Sequence, residues 1–88
     1  MIDAFIWNLV FVGKVIEEYA QKHPKLVIEW SIPDGDLDSL VLLMGTTEAY
    51  SLEKKYLLYY EIEELEPFEL RQLIEGMLEE MAKKVISL

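Results

Sequence analysis

The sequence predicts an α+β domain of order α-β-β-β-α, a three-stranded antiparallel meander with two helices packed on one face. Three observations predict it. Apolar residues recur at helical spacing at both ends of the chain, and in the middle the period switches to two. Turn residues separate the alternating segments, whereas no repeat, linker or low-complexity tract interrupts the 88 residues, so a single domain is expected. At that length the core must be dense, and 52% of the residues are hydrophobic.

The first helix is expected from about Asp3 to Lys22. Ile2, Phe5/Ile6, Leu9, Val12/Gly13, Ile16 and Ala20 form one apolar stripe, and Ala4, Trp7, Phe11, Val15 and Tyr19 form a second beside it. A helix apolar on nearly all sides cannot satisfy itself against one sheet face. Gly13 is expected to let another backbone approach closely. Lys22 and His23 suit the negative end of the helix dipole, and Pro24 stops the helix. The stretch from Ile2 to Ile16 falls short of the ~20 residues that span a bilayer, and no basic segment precedes it. It reads as a buried helix, with no membrane partner.

Leu26, Ile28, Trp30 and Ile32 alternate with Val27, Glu29 and Ser31, the pattern of a half-buried strand. Pro33-Asp34-Gly35-Asp36 supplies a turn, because Pro fixes φ and Gly accepts a positive one. The second strand is expected from Ser39 through a bulge at Gly45 to Tyr50, and Ser51-Leu52-Glu53-Lys54 reads as the next turn. The third strand, Lys55 to about Glu64, would put Tyr56, Leu58, Tyr60 and Ile62 on one face and Leu57, Tyr59, Glu61 and Glu63 on the other. Pro67 opens the last helix, with Glu66 and Glu69 beside its positive end. Its stripe is Leu70, Leu73/Ile74, Met77, Met81, Val85 and Leu88, and Glu79→Lys83 and Glu80→Lys84 are well-oriented i,i+4 pairs.

These assignments leave apolar surface over. With both helices on the Trp30/Leu42/Tyr60 side, Val27, Val41, Leu43, Leu57 and Tyr59 line the open side of the sheet, where polar residues are normally found. Such a patch marks an interaction site, unless a helix crosses to cover it as ordinary core. Trp7 and Phe11 offer a second contact. Homodimerisation is the leading explanation.

Seventeen acidic residues face eight basic ones, for a net charge of −9. Residues 1–33 contribute four acids and three lysines (−1), and residues 34–88 contribute thirteen acids and five bases (−8). The densest stretch holds Glu61, Glu63, Glu64, Glu66, Glu69, Glu75, Glu79 and Glu80 against Arg71 alone. Such a surface repels nucleic acid and anionic membrane and favours a basic protein partner. No cysteine is present, so disulfides and thiolate metal sites are excluded and a cytoplasmic setting is expected. Many Glu and Lys with one Asn and two Gln is the bias of hyperthermophile proteins.

Few residue patterns point to chemistry. Asp34, Asp36 and Asp38 alternate as in a calcium loop, but the sixth and twelfth positions from Asp34 are Ser39 and Gly45 instead of Gly and Glu. Ser51-Leu52-Glu53-Lys54 fits S-x-x-K without the remaining apparatus of serine acyl-transferases. His23 beside Pro24 suits a helix end, and Met77 and Met81 lie within the helical stripe as core filler. No cofactor motif is found.

Pro33-Asp34 and Glu53-Lys54-Lys55, in an α-β-β-β-α order, resemble the PD-(D/E)xK nuclease family. The resemblance implies Mg²⁺ held by Asp34 and Glu53, with Lys55 polarising the phosphate. In that family the ExK triplet lies on a strand, whereas here Glu53 reads into a turn, and a single Arg makes no basic track for DNA. The element order also resembles double-stranded-RNA-binding domains, whose basic helix start is replaced here by Glu66 and Glu69. In size and charge the chain resembles small acidic phage inhibitors that mimic nucleic acid. The sequence therefore favours a non-enzymatic, homodimeric interaction protein with an acidic face, ahead of a nucleic-acid mimic and a nuclease.

Overall fold

A computed structural model describes residues 4–32, 39–47 and 52–86, in the order α1 (Ala4–Lys22), β1 (Leu26–Ser31), β2 (Ser39–Thr46), β3 (Leu52–Leu58), α2 (Tyr59–Glu64) and α3 (Pro67–Ile86). The turn read at 33–36, the strand extension to Tyr50, Asp38, Ile2 and Leu88 lie outside the described residues. α1 ends where expected. The His23 N–H donates to the Ala20 carbonyl at 3.1 Å and the Leu26 N–H to the His23 carbonyl at 3.0 Å, which turns the chain straight into β1. α3 starts with half of a capping box. Pro67 needs no N–H there, and the Glu69 carboxylate accepts from the Glu66 N–H at 3.4 Å.

The sheet is an antiparallel meander of order β1-β2-β3. Residues directly opposite in a ladder share a face, so the register sorts the side chains. Trp30, Leu42 and Lys55 form one row, Ile28, Met44 and Glu53 the next, and Leu40 lies opposite Leu57. This face meets the helices. Leu26, Leu40, Leu42, Met44 and Leu57 join Val12, Val15 and Ile16 of α1, Ile62 of α2, and Leu70, Ile74, Leu78, Met81 and Val85 of α3 in one buried cluster. All three helices lie on that face.

The α+β meander is thus as expected, with three helices instead of two. Several details differ. The chain leaves β3 at Leu58, and Tyr59–Glu64 is a helix where a strand was expected. Leu52, Glu53 and Lys54 belong to β3 and not to a turn, and Gly45 pairs regularly between Val27 and Leu52 with no bulge. The facing of β3 is reversed: Leu57 is fully buried, while Tyr56 and Leu58 point to the open side. Tyr60, expected in the core, is exposed. Leu78, missed in the α3 stripe, is buried. Glu80 pairs with Lys55 of β3 at 2.6 Å, clasping α3 to the sheet edge.

Gly13 admits an indole instead of a backbone. A Cβ added there would stand 2.9 Å from Cζ2 of Trp30. Gly13→Ala therefore gains about 1 kcal/mol of helix propensity and displaces the ring, two effects that nearly cancel. In a Trp7→Phe background, its Trp30 emission is expected to shift to the red with stability changed by less than about 1 kcal/mol. Unchanged emission would show that the ring does not rest on Gly13.

Candidate functional site

The side of the sheet away from the helices is the first candidate. Its rows are Val27, Gly45 and Leu52; Glu29, Leu43 and Lys54; and Ser31, Val41 and Tyr56, with Ser39 and Leu58 at the end. Val27, Leu52, Tyr56 and Leu58 are exposed, and Leu43 is half-buried. Val41 is 8% exposed yet belongs to no part of the helix-covered cluster. Six apolar side chains thus form a continuous surface that includes one acid and one base. Lys54 leans along it, with Nζ 5.8 Å from the Tyr56 ring centroid.

Of the residues predicted for this face, Val27, Val41 and Leu43 are on it, and Leu57 and Tyr59 are not. Leu57 faces Leu40 in the core. Tyr59 begins α2 and meets Phe5 edge-on, with ring centroids 5.5 Å apart and planes at 76°. Leu52, Tyr56 and Leu58 take their places. The alternation of Leu40, Leu42 and Met44 on β2 could have found them, because pairing with that strand fixes which β3 residues share its outer face.

The second predicted contact divides. Trp7 is 60% exposed and stands beside Ile6 and Val10, also exposed. Phe11 is half-buried beneath the Arg71 guanidinium, 5.4 Å from its ring centroid. Between α1 and β1, a groove of about 680 Å³ runs past Leu9, Val10, Gly13, Ile16, Ile28 and Trp30.

Arg71 is the chain's only arginine, and it ties α1 to α3. Its Nη1 donates to Glu18 at 3.0 Å and to Glu75 at 3.2 Å. The hydrogen bond to Glu18, then that to Glu75, holds its pKa above the ordinary arginine value. Beside this pair Tyr19 stacks on His23 with centroids 4.3 Å apart. Burial, with Glu79 adding repulsion, raises the Tyr19 phenol above its usual pKa. His23 is thus an exposed turn residue with one face against Tyr19.

The predicted acidic face lies on α2, α3 and the connection between them. Glu61, Glu63 and Glu64 are on α2, Glu66 on the connection, and Glu69, Glu75 and Glu79 on α3. Glu75 is engaged by Arg71. Among the described residues no salt bridge reaches Glu61, Glu63, Glu64, Glu66, Glu69 or Glu79. Glu80 is held below the ordinary glutamate pKa by its hydrogen bond from Lys55.

The nuclease-like triplet is on a strand after all, with Glu53 and Lys55 on the helix-covered face. Lys55 is engaged by Glu80. Glu53 pairs with Met44, five positions along β2 from Ser39, a separation of about 17 Å. Asp34 lies outside the described residues, and among those described no three His, Asp or Glu side chains converge as for a metal. No helix among the described residues is long and apolar enough to cross a membrane. The chain matches no protein-family model, no curated protein and no solved structure.

Proposed function

We propose that this chain is a non-enzymatic interaction module that pairs with a second copy through the open face of its sheet and turns an acidic helical surface to a basic partner. The observation that carries the reading is the apolar run of Val27, Val41, Leu43, Leu52, Tyr56 and Leu58, which lies on the side of the sheet away from the described helices. An antiparallel sheet tolerates water on one face when that face is polar, and this one is apolar. The face also suits self-contact electrostatically. One Glu and one Lys make it neutral within a chain of net charge −9. The unbridged carboxylates of α2 and α3 lie away from it, free to steer a cationic partner. The absence of cysteine accords with a cytoplasmic setting.

Size sets the strength. Three strands of up to eight residues make a plane of roughly 340 Å² in projection, well below the ~800 Å² per partner of a standard interface. The pairing is therefore expected to be weak. Charge adds a condition. Two bodies of charge −9 about 25 Å apart repel by about 6 kcal/mol at about 0.01 M salt, and by about 0.6 kcal/mol at about 0.15 M. Sedimentation equilibrium from about 10 µM to 1 mM is expected to show dimer at the higher salt and monomer at the lower. Leu43→Glu is expected to abolish the dimer while the circular dichroism stays native. A wild type that remains monomeric throughout would refute the reading.

A second reading, in which the acidic helices occupy a basic nucleic-acid-binding groove as a phosphate mimic, rests on the same free carboxylates. Competition by DNA for a captured basic partner separates it from binding elsewhere on that partner.

A further inference from the structure

The row through Leu43 fixes how two copies can meet. Glu29 on β1 and Lys54 on β3 both lie opposite Leu43, one strand away on either side. They therefore stand about 10 Å apart, with an apolar residue midway. Both are exposed. They are the charged side chains that the ladder places on this face.

Of the face-to-face arrangements that bring Leu43 against its own copy, two keep the strands of both sheets aligned. A twofold axis running across the strands through Leu43 would superpose that row on itself strand by strand, placing Glu29 over Glu29 and Lys54 over Lys54, and would exchange the two flanking rows. A twofold axis along β2 exchanges the two edge strands, placing Glu29 over Lys54 twice. Sheets stack about 10 Å apart, a gap that a glutamate and a lysine reaching from opposite sides can close. The first arrangement gathers like charges where water is thin, and the second pairs them.

Building on the self-association reading, we infer that two copies pack about a twofold axis along β2 through Leu43, each Glu29 meeting Lys54 of the second copy. The neighbouring rows agree with this geometry. Small Ser31 lies over large Tyr56, Val41 over Val41, and Val27 over Leu52. The interface is isologous and closed, so it ends at a dimer.

Charge reversal tests the axis. Glu29→Lys and Lys54→Glu each convert two attractive encounters into two repulsive ones. Each is expected to weaken the dimer at least tenfold in sedimentation equilibrium at about 0.15 M salt. The double variant Glu29→Lys/Lys54→Glu restores both pairs with their signs exchanged and is expected within about threefold of wild type. Both positions are exposed, and native circular dichroism of each variant checks that folding is unaffected. Single reversals that leave Kd unchanged in a protein that dimerises, with Leu43→Glu still monomeric, would overturn the axis and leave the interface standing. A dimer insensitive to Leu43→Glu, or a wild type monomeric at all concentrations, would overturn the interface and the axis with it.

Discussion

Leu57→Glu is expected to leave no folded protein, while Tyr56→Glu, one residue away, leaves the fold intact. Leu57 is fully buried and lies opposite Leu40 on the helix-covered face. A carboxylate there would be taken out of water among leucines, at a cost of several kcal/mol even if it is protonated. A chain of 88 residues has about 4–13 kcal/mol of total stability, so the substitution consumes most or all of it. Leu57→Ala provides the measurable version, with an expected loss of about 2–5 kcal/mol in urea unfolding. Tyr56 is half-exposed on the other face, and its replacement by Glu is expected to cost less than about 1 kcal/mol in the monomer. Circular dichroism and urea titration of the three variants check the pair. A folded Leu57→Glu protein would reverse the orientation of β3.

Ile62→Ala is the second large effect, about 2–5 kcal/mol, because α2 is too short to persist unless docked. It has six residues, its N-cap is Leu58 with no side-chain hydrogen bond, and Ile62 is its buried residue. Its attachment otherwise rests on Asn8 of α1, whose side-chain amide donates to the Ile62 carbonyl at 2.7 Å, and on the Phe5–Tyr59 ring contact. Truncating Ile62 is expected to expose the amides of residues 60–65 to hydrogen exchange before the sheet opens. Protection retained at those amides, with stability within about 1 kcal/mol of wild type, would show that α2 is held by something else.

α2 is also where sequence reasoning failed, and the reason is physical. Tyr56, Leu58, Tyr60 and Ile62 alternate, and aromatic and β-branched residues favour strands, so the period of two seemed to run on. Tyr59, Ile62 and Leu65 stand three apart on the same stretch, and these are its buried or half-buried apolar positions. Ile62 does lie in the core. It gets there through a helix, so its parity says nothing about Tyr56, and carrying that parity back along β3 reversed the strand. α1, β1, β2 and α3 were legible because Pro24, Pro67 and long unambiguous periods mark them. The covering of Phe11 by Arg71 was not, since a contact across sixty positions leaves no local pattern. Of the candidate face, the residues on β1 and β2 could be read directly, and those on β3 required the register.

The packing of α1 against α3 has a consequence for synthesis. Glu18 and Arg71, joined across the two helices, are 53 residues apart, and α3 supplies Leu70, Ile74, Leu78, Met81 and Val85 to the shared core. On the ribosome, α1 and the sheet emerge well before the helix that completes them. During that interval both sides of the nascent sheet present apolar side chains to solvent, and its edges are open to pairing with other chains. The acidic residues that emerge between β3 and α3 then act before any partner is met, giving the half-made chain a repulsive coat against its neighbours.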